Sequence, residues 1–199
     1  MIEEILDSKV KGKIMKLFCK FPERKFQMID VAKLSKLSNS RTSECLRELA
    51  RMGILESRKI GKGYEYKLNH SNYYSQLLLK FFKEDDKLID HITRDFVESM
   101  KTFKGVKSIV LFGSALTGLK IGSDIDFLVV AEKKIEKEEI SRIETELIDK
   151  YGFHISTTFM TDEEIKEKAK KGEEFVVKLM ANGKLIFGKD LEDVIWSEK

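Results

Sequence analysis

Hydrophobic residues change their period several times along the chain, and each change marks an element. Val10, Ile14, Leu17, Phe18 and Phe21 recur on one helix face and stop at Pro22, which predicts a first helix ending there. A short second helix is predicted over about 27–34, a turn over Ser35–Ser38, and a third helix over about 39–52. The third helix would bury Thr42, Cys45, Leu46, Leu49 and Met52, and Gly53 supplies the left-handed residue that ends it. Ile54–Lys59 and Tyr64–Leu68 then read as two strands, joined by Ile60-Gly61-Lys62-Gly63 in a tight hairpin turn.

Helical spacing returns at Leu77, Leu78, Phe81 and Phe82, and again at Ile89, Ile92, Phe96, Met100 and Phe103. Beyond it the runs shorten and become β-branched. Strands are predicted at Val106–Phe112, Asp124–Val130 and Phe153–Phe159, with a helix through Ile140, Ile143 and Leu147 between the last two. Thr161-Asp162-Glu163-Glu164 opens a further helix, Phe175, Val176, Leu179 and Met180 mark another, and Asn182-Gly183 turns into a closing strand.

Three helices and a hairpin make a winged helix-turn-helix. The outer face of its third helix carries Ser40, Arg41, Ser43, Arg47 and Arg51, short or cationic groups that suit a major groove. Arg58, Lys59 and Lys62 sit at the hairpin tip, placed to meet phosphates or the minor groove. Charge sharpens this picture. Residues 1–75 hold 16 Lys and Arg against 9 Asp and Glu, whereas 76–199 hold 21 against 25, so the overall +3 is a cancellation of +7 and −4. A basic first part and a mildly acidic second part point to different partners, double-stranded DNA being the natural one for the first.

Composition excludes several classes. With 36% charged and 42% hydrophobic residues, one Pro and 12 Gly, the chain fits neither disordered nor fibrous proteins. No apolar run approaches the roughly 20 residues of a membrane span, and the first residues do not form a basic-then-apolar leader. A cytoplasmic location without membrane attachment is therefore expected. Cys19 and Cys45 read as buried reduced thiols, and His70, His91 and His154 lack the spacing of a structural zinc site.

The segment from Ser38 to Leu55, followed by Arg58 to Leu68 with its Tyr-x-Tyr-x-Leu strand, resembles the winged helix transcription regulators of prokaryotes, of the arsenic-resistance and multiple-antibiotic-resistance repressor type. The resemblance covers about residues 8–70 and implies DNA binding; the alternative for such a module is dimerisation or protein docking.

The second half carries a different chemistry. Asp124 and Asp126 are two apart on a predicted strand, so both carboxylates point to one face. Two adjacent carboxylates repel and raise one another's proton affinity unless a cation lies between them, and carboxylate oxygens suit Mg²⁺ or Mn²⁺ with remaining ligands from phosphates and water. Gly113 lets a backbone approach a phosphate closely, while Ser114 adds a hydroxyl and an amide at an expected helix start. Together these parts fit a metal-bound nucleoside triphosphate.

Val110-Leu111-Phe112-Gly113-Ser114, a nine-residue spacer over Ala115–Ser123, and Asp124-Ile125-Asp126 resemble the nucleotidyltransferase superfamily of DNA polymerase beta, especially its small prokaryotic members. Gly118 and Ser123 fit the small-member form. The resemblance implies metal ligation by Asp124 and Asp126, nucleotide binding by Gly113, Ser114 and Ser123, and NTP as substrate or ligand. The family normally places a third carboxylate on a later strand. Here the face of Phe153–Phe159 toward the site would present His154, Ser156 and Thr158, none of them acidic, leaving His154 as a candidate base or ligand.

The expected architecture is α+β in two domains: a winged helix-turn-helix over 1–70, a helical connector over 71–104, and a polymerase-beta-like mixed sheet with helices over 105–199. The leading function is a DNA-binding protein that binds Mg-NTP and transfers a nucleoside monophosphate to a hydroxyl acceptor, which could be a protein. A regulator with a nucleotide-sensing, catalytically weak domain is the first alternative, and an antitoxin-like protein-docking module the second. The helical stripe of the connector is compatible with packing on the next domain or with a homodimer seam.

Overall fold

The computed structural model describes residues 2–119 and 122–196. The chain divides at Lys87/Leu88 into two compact units.

The first unit is a winged helix. Helices α1 (Ile2–Leu6), α2 (Lys9–Lys20), α3 (Met28–Ser35) and α4 (Asn39–Arg51) are followed by strands β2 (Leu55–Ile60) and β3 (Gly63–Leu68) and by α5 (Tyr73–Asp86). Ser8 caps α2 by accepting from the Lys11 amide. At the end of α4, Gly53 stands at φ 72° and donates its amide to Ala50, while Ile54 donates to Leu49; this satisfies the last carbonyls of the helix and turns the chain into β2. A strand that the hydrophobic pattern did not reveal, β1 (Phe26–Gln27), pairs antiparallel with β3. Two residues are too few to show a period, but they seat Phe26 edge-on against Phe18, ring centroids 5.2 Å apart.

Leu46 and Leu49 from α4, Ile14 and Phe18 from α2, and Leu68 from the hairpin are fully buried in one core. Leu78 and Phe82 of α5 belong to this core, and the buried Ser75 hydroxyl donates to the Ile54 carbonyl.

The second unit is a four-stranded mixed sheet in the order β6-β5-β4-β7. Strands β4 (Val106–Phe112) and β5 (Ile125–Ala131) run antiparallel, as do β4 and β7 (Lys184–Gly188); β6 (Ile155–Thr161) is parallel to β5 and reached through α7 (Lys137–Tyr151). Both sheet faces are covered, which is why β5 is almost continuously apolar. Ile125, Phe127 and Val129 pack with α6 (Leu88–Met100) and α7, and the Phe96 and Phe127 rings stack at 3.9 Å. Leu128 and Val130 pack on the opposite side with α8 (Asp162–Lys170), α9 (Glu174–Asn182) and α10 (Leu191–Trp196). Thr161 and Glu164 form the capping box of α8.

The stretch 71–104 is thus shared out, α5 contributing to the first core and α6 to the second. Phe81 departs from its expected apolar stripe and stays exposed while Phe82 is buried.

Candidate functional site

The site of the second unit forms where β4 and β5 end side by side. Phe112 is paired with Asp126, so the residue after Phe112 lies directly against that carboxylate. That residue is Gly113, at φ 76°, and a Cβ built on it would overlap Asp126 Oδ2. Only glycine lets the turn pass this close. The helix expected to start at Ser114 is a short 3₁₀ turn, Gly113–Thr117, which closes after one turn when the Gly118 amide donates to Ala115. Ser114 donates its hydroxyl to the Asp124 carbonyl at 3.4 Å, tying this turn to the carboxylate loop.

Asp124 precedes β5 and Asp126 lies within it. Burial, then the negative charge of Asp124, pushes the Asp126 carboxyl above its ordinary proton affinity, while His154 opposes the shift. His154 Nδ1 stands 3.4 Å from Asp124 Oδ1. Strand β6 begins at Ile155, one residue after the histidine and two after the expected Phe153, and the His154 carbonyl accepts from the Ile125 amide at 2.9 Å as the first bond of the β5–β6 pairing. Ser123 is half-buried just before Asp124, and its spacer passes through Lys120 and Ile121, which lie outside the described residues.

Asp124 and Asp126 offer hard oxygen donors, and the crowding of charge at Asp126 is what a divalent cation would relieve. Among the described residues no group of three or more His, Cys, Asp and Glu side chains is arranged to hold a metal. A cation here would complete its shell with phosphate oxygens and water, the usual habit of Mg²⁺. Ser156 of β6 is paired with Asp126, and β6 carries no acidic residue. Glu132 and Asp162 follow β5 and β6 at the opposite end of the sheet, where both are engaged by Lys107, the latter closely.

A cleft of about 410 Å³ borders Gly113, lined by Phe112, Leu116, Phe175, Lys178 and Asn182 among others. The hydrophobic pattern gave no sign of it. Its walls come from residues some 60 positions apart whose apolar members look like ordinary core, and the only local signal, Asn182-Gly183, reads as a turn.

In the first unit Ser40, Arg41, Arg47 and Arg51 are exposed on α4 and Ser43 is half-buried; Arg58, Lys59 and Lys62 are exposed on the hairpin. The hairpin register, Arg58 opposite Glu65 and Lys59 opposite Tyr64, puts Lys62 in the two-residue tip. Between α4 and the hairpin runs a groove lined by Arg47, Arg51, Ser57 and Tyr64 among others. Tyr64 is 51% exposed, a further groove residue that its alternating strand pattern did not single out.

Residues 93–179 match the family model described as a nucleotidyltransferase domain. The second unit carries a nucleotidyltransferase domain. The corner of Gly113, Asp124 and Asp126 lies inside the matched span of that nucleotidyltransferase domain. No curated protein matches the chain. Among solved structures, the chain is similar to the AntR antimony-specific transcriptional repressor at 15% identity, over 46% of this chain and 76% of that one, with a TM-score of 0.38. It is similar to reduced HlyU from Vibrio cholerae at 16% identity, over 42% and 82% of the two chains, with a TM-score of 0.35. A chain of the Shewanella oneidensis complex of tri-AMPylated HEPN toxin with MNT antitoxin is similar at 14% identity, over 52% and 76%, with a TM-score of 0.36. No helix among the described residues is long and apolar enough to cross a membrane.

Proposed function

We propose that the protein binds DNA through its winged helix and that its nucleotidyltransferase domain binds a metal-bound nucleoside triphosphate and transfers the nucleoside monophosphate to a hydroxyl acceptor. The observation that carries this reading is the corner in which Gly113 gives up a side chain so that Asp126 can stand against the turn, with Asp124 beside it. In this role Mg²⁺ or Mn²⁺ would be held by Asp124 and Asp126 and would neutralise charge on the phosphates. Gly113 leaves room for a phosphate, Ser114 offers its amide and hydroxyl, and Ser123 flanks the same approach.

The acceptor oxygen bonds to the α-phosphorus, the bond from that phosphorus to the β-phosphate oxygen breaks, and pyrophosphate leaves. His154, beside Asp124, is the group placed to accept the hydroxyl proton. Such a reaction asks mainly for positioning and charge neutralisation; the corner would position the phosphates, and the metal held by its carboxylates would neutralise their charge.

A second reading has its own support: β6 presents hydroxyls where the superfamily carries a third carboxylate. On that reading the domain senses a nucleotide without turning it over and alters DNA affinity. Incubation of the full chain with Mg²⁺ and each NTP, followed by mass analysis of protein and nucleotide, separates the two. Pyrophosphate or an added nucleoside monophosphate supports transfer. Bound but intact nucleotide that shifts DNA affinity supports sensing, and neither result would overturn both.

A further inference from the structure

The cleft beside Gly113 has no part in the metal corner, yet shares a wall with it. Gly113 both lines the cleft and abuts Asp126. At about 410 Å³ the cleft falls in the range that small ligands occupy, roughly 300–1,000 Å³. Its lining is unusual for a surface: Leu116 and Phe175 are 37% and 36% exposed, and the Phe175 ring is braced edge-on by Phe112 at 5.5 Å and 80°.

One edge of the cleft is fixed by close backbone packing. A Cβ on Gly183 would lie 2.6 Å from both the Leu179 carbonyl oxygen and Val110 Cγ1, so glycine lets the chain leave α9 pressed against β4. That close approach fixes Asn182, an exposed amide at the cleft edge whose Nδ2 reaches the Lys178 carbonyl at 3.4 Å.

We infer that this cleft receives the base and sugar of the nucleotide, Phe175 and Leu116 flanking the base and the Asn182 amide meeting its polar edge. The inference rests on the reading of the Gly113–Asp126 corner as a triphosphate site. An aromatic heterocycle carries an apolar face and hydrogen-bonding edges, which is what an exposed Phe and Leu beside one carboxamide complement. Continuity through Gly113 selects this occupant over an apolar side chain of a protein partner: a phosphate chain held at Gly113 leads the nucleoside into the adjoining recess.

The test is calorimetric titration of the full chain, in Mg²⁺, with ATP, GTP, CTP and UTP and with inorganic tripolyphosphate, repeated for Phe175→Ala and Leu116→Ala. Removing one stacking partner is expected to weaken the preferred NTP on the order of tenfold or more, while leaving tripolyphosphate binding unchanged. NTP affinity unchanged in both variants, with wild-type protein binding NTP, would overturn the cleft and leave the corner intact. No binding of either NTP or tripolyphosphate by the wild type would overturn the corner itself, and the inference with it. If Phe175→Ala loses tripolyphosphate as well, its fold is disturbed and Leu116→Ala decides. NTP binding no tighter than tripolyphosphate binding in the wild type would also exclude a nucleoside in this cleft and favour a protein side chain.

Discussion

Gly113 is packed directly against Asp126: a Cβ on Gly113 would overlap Asp126 Oδ2 where it now stands, and Gly113 sits at φ 76°. Both conditions disfavour other residues, the first by forcing the Asp126 carboxylate to move and the second by backbone strain of about 1–3 kcal/mol. Gly113→Ala is expected to displace the Asp126 carboxylate and weaken Mg-dependent NTP binding at least tenfold, with the domain still folded. Nucleotide titration beside circular dichroism checks this; normal binding in a folded variant would show that Asp126 does not need its present position.

The proton affinity of Asp126 makes a statement about stability. Its carboxyl is raised by burial and by Asp124, so folding favours the protonated form. That contribution is complete below the unfolded carboxyl range and is lost as pH rises through the raised folded value. At neutral pH the ionised Asp126 therefore costs stability. Asp126→Asn should raise the melting temperature by roughly 2–4 °C, the shift that about 1 kcal/mol produces at this size, an upper figure because solvent screens a half-buried carboxylate. The gain should vanish in acid and the variant should no longer be stabilised by Mg²⁺. Thermal melts at pH 4 and pH 7.5, with and without Mg²⁺, read all three effects.

Asp95 shows the opposite sign. It accepts from Lys150 Nζ and the Tyr151 hydroxyl, both at 2.6 Å, and these bonds hold its carboxyl below the usual range. Its contribution is present above the unfolded carboxyl pKa and is lost as pH falls through the lowered folded one. Asp95→Asn should loosen α6 from α7 and cost about 1 kcal/mol at pH 7. Denaturant unfolding at pH 7 and at pH 3 should show this cost shrinking in acid.

DNA binding by the first unit predicts a salt signature. Arg47 and Arg51 are exposed on α4 and line the groove facing the hairpin. Arg47→Ala with Arg51→Ala should weaken binding to duplex DNA and lower the slope of log affinity against log salt by about 0.9 for each phosphate no longer neutralised. Fluorescence anisotropy across a salt series measures that slope; no change in either quantity would place DNA elsewhere on the protein or nowhere.

The winged helix was legible because its parts are local. Thr42, Leu46 and Leu49 repeat at helical spacing and are buried as that spacing implies, and Gly61 and Gly63 mark the hairpin directly. The carboxylate corner was legible for a related reason: Gly113 and Asp126 stand near the ends of two neighbouring apolar strands, so their meeting follows from one strand pairing. What stayed hidden depends on long-range assembly. Phe26 reveals its strand only through β3, and Phe175 resembles a core residue until the turn at Gly113 leaves it partly uncovered beside a cleft. The helix start expected at Ser114 is a single 3₁₀ turn, whose length leaves no periodic trace in five residues.

The central claim is that Asp124 and Asp126 hold the metal of a metal-bound nucleoside triphosphate, and calorimetric titration of the full chain with each NTP tests it without knowledge of the acceptor. Binding that requires Mg²⁺ or Mn²⁺, and that falls on the order of a hundredfold (about 2.7 kcal/mol) in both Asp124→Asn and Asp126→Asn, is the expected result. NTP binding that persists in a chelator, or that is equally tight in both variants, would contradict it.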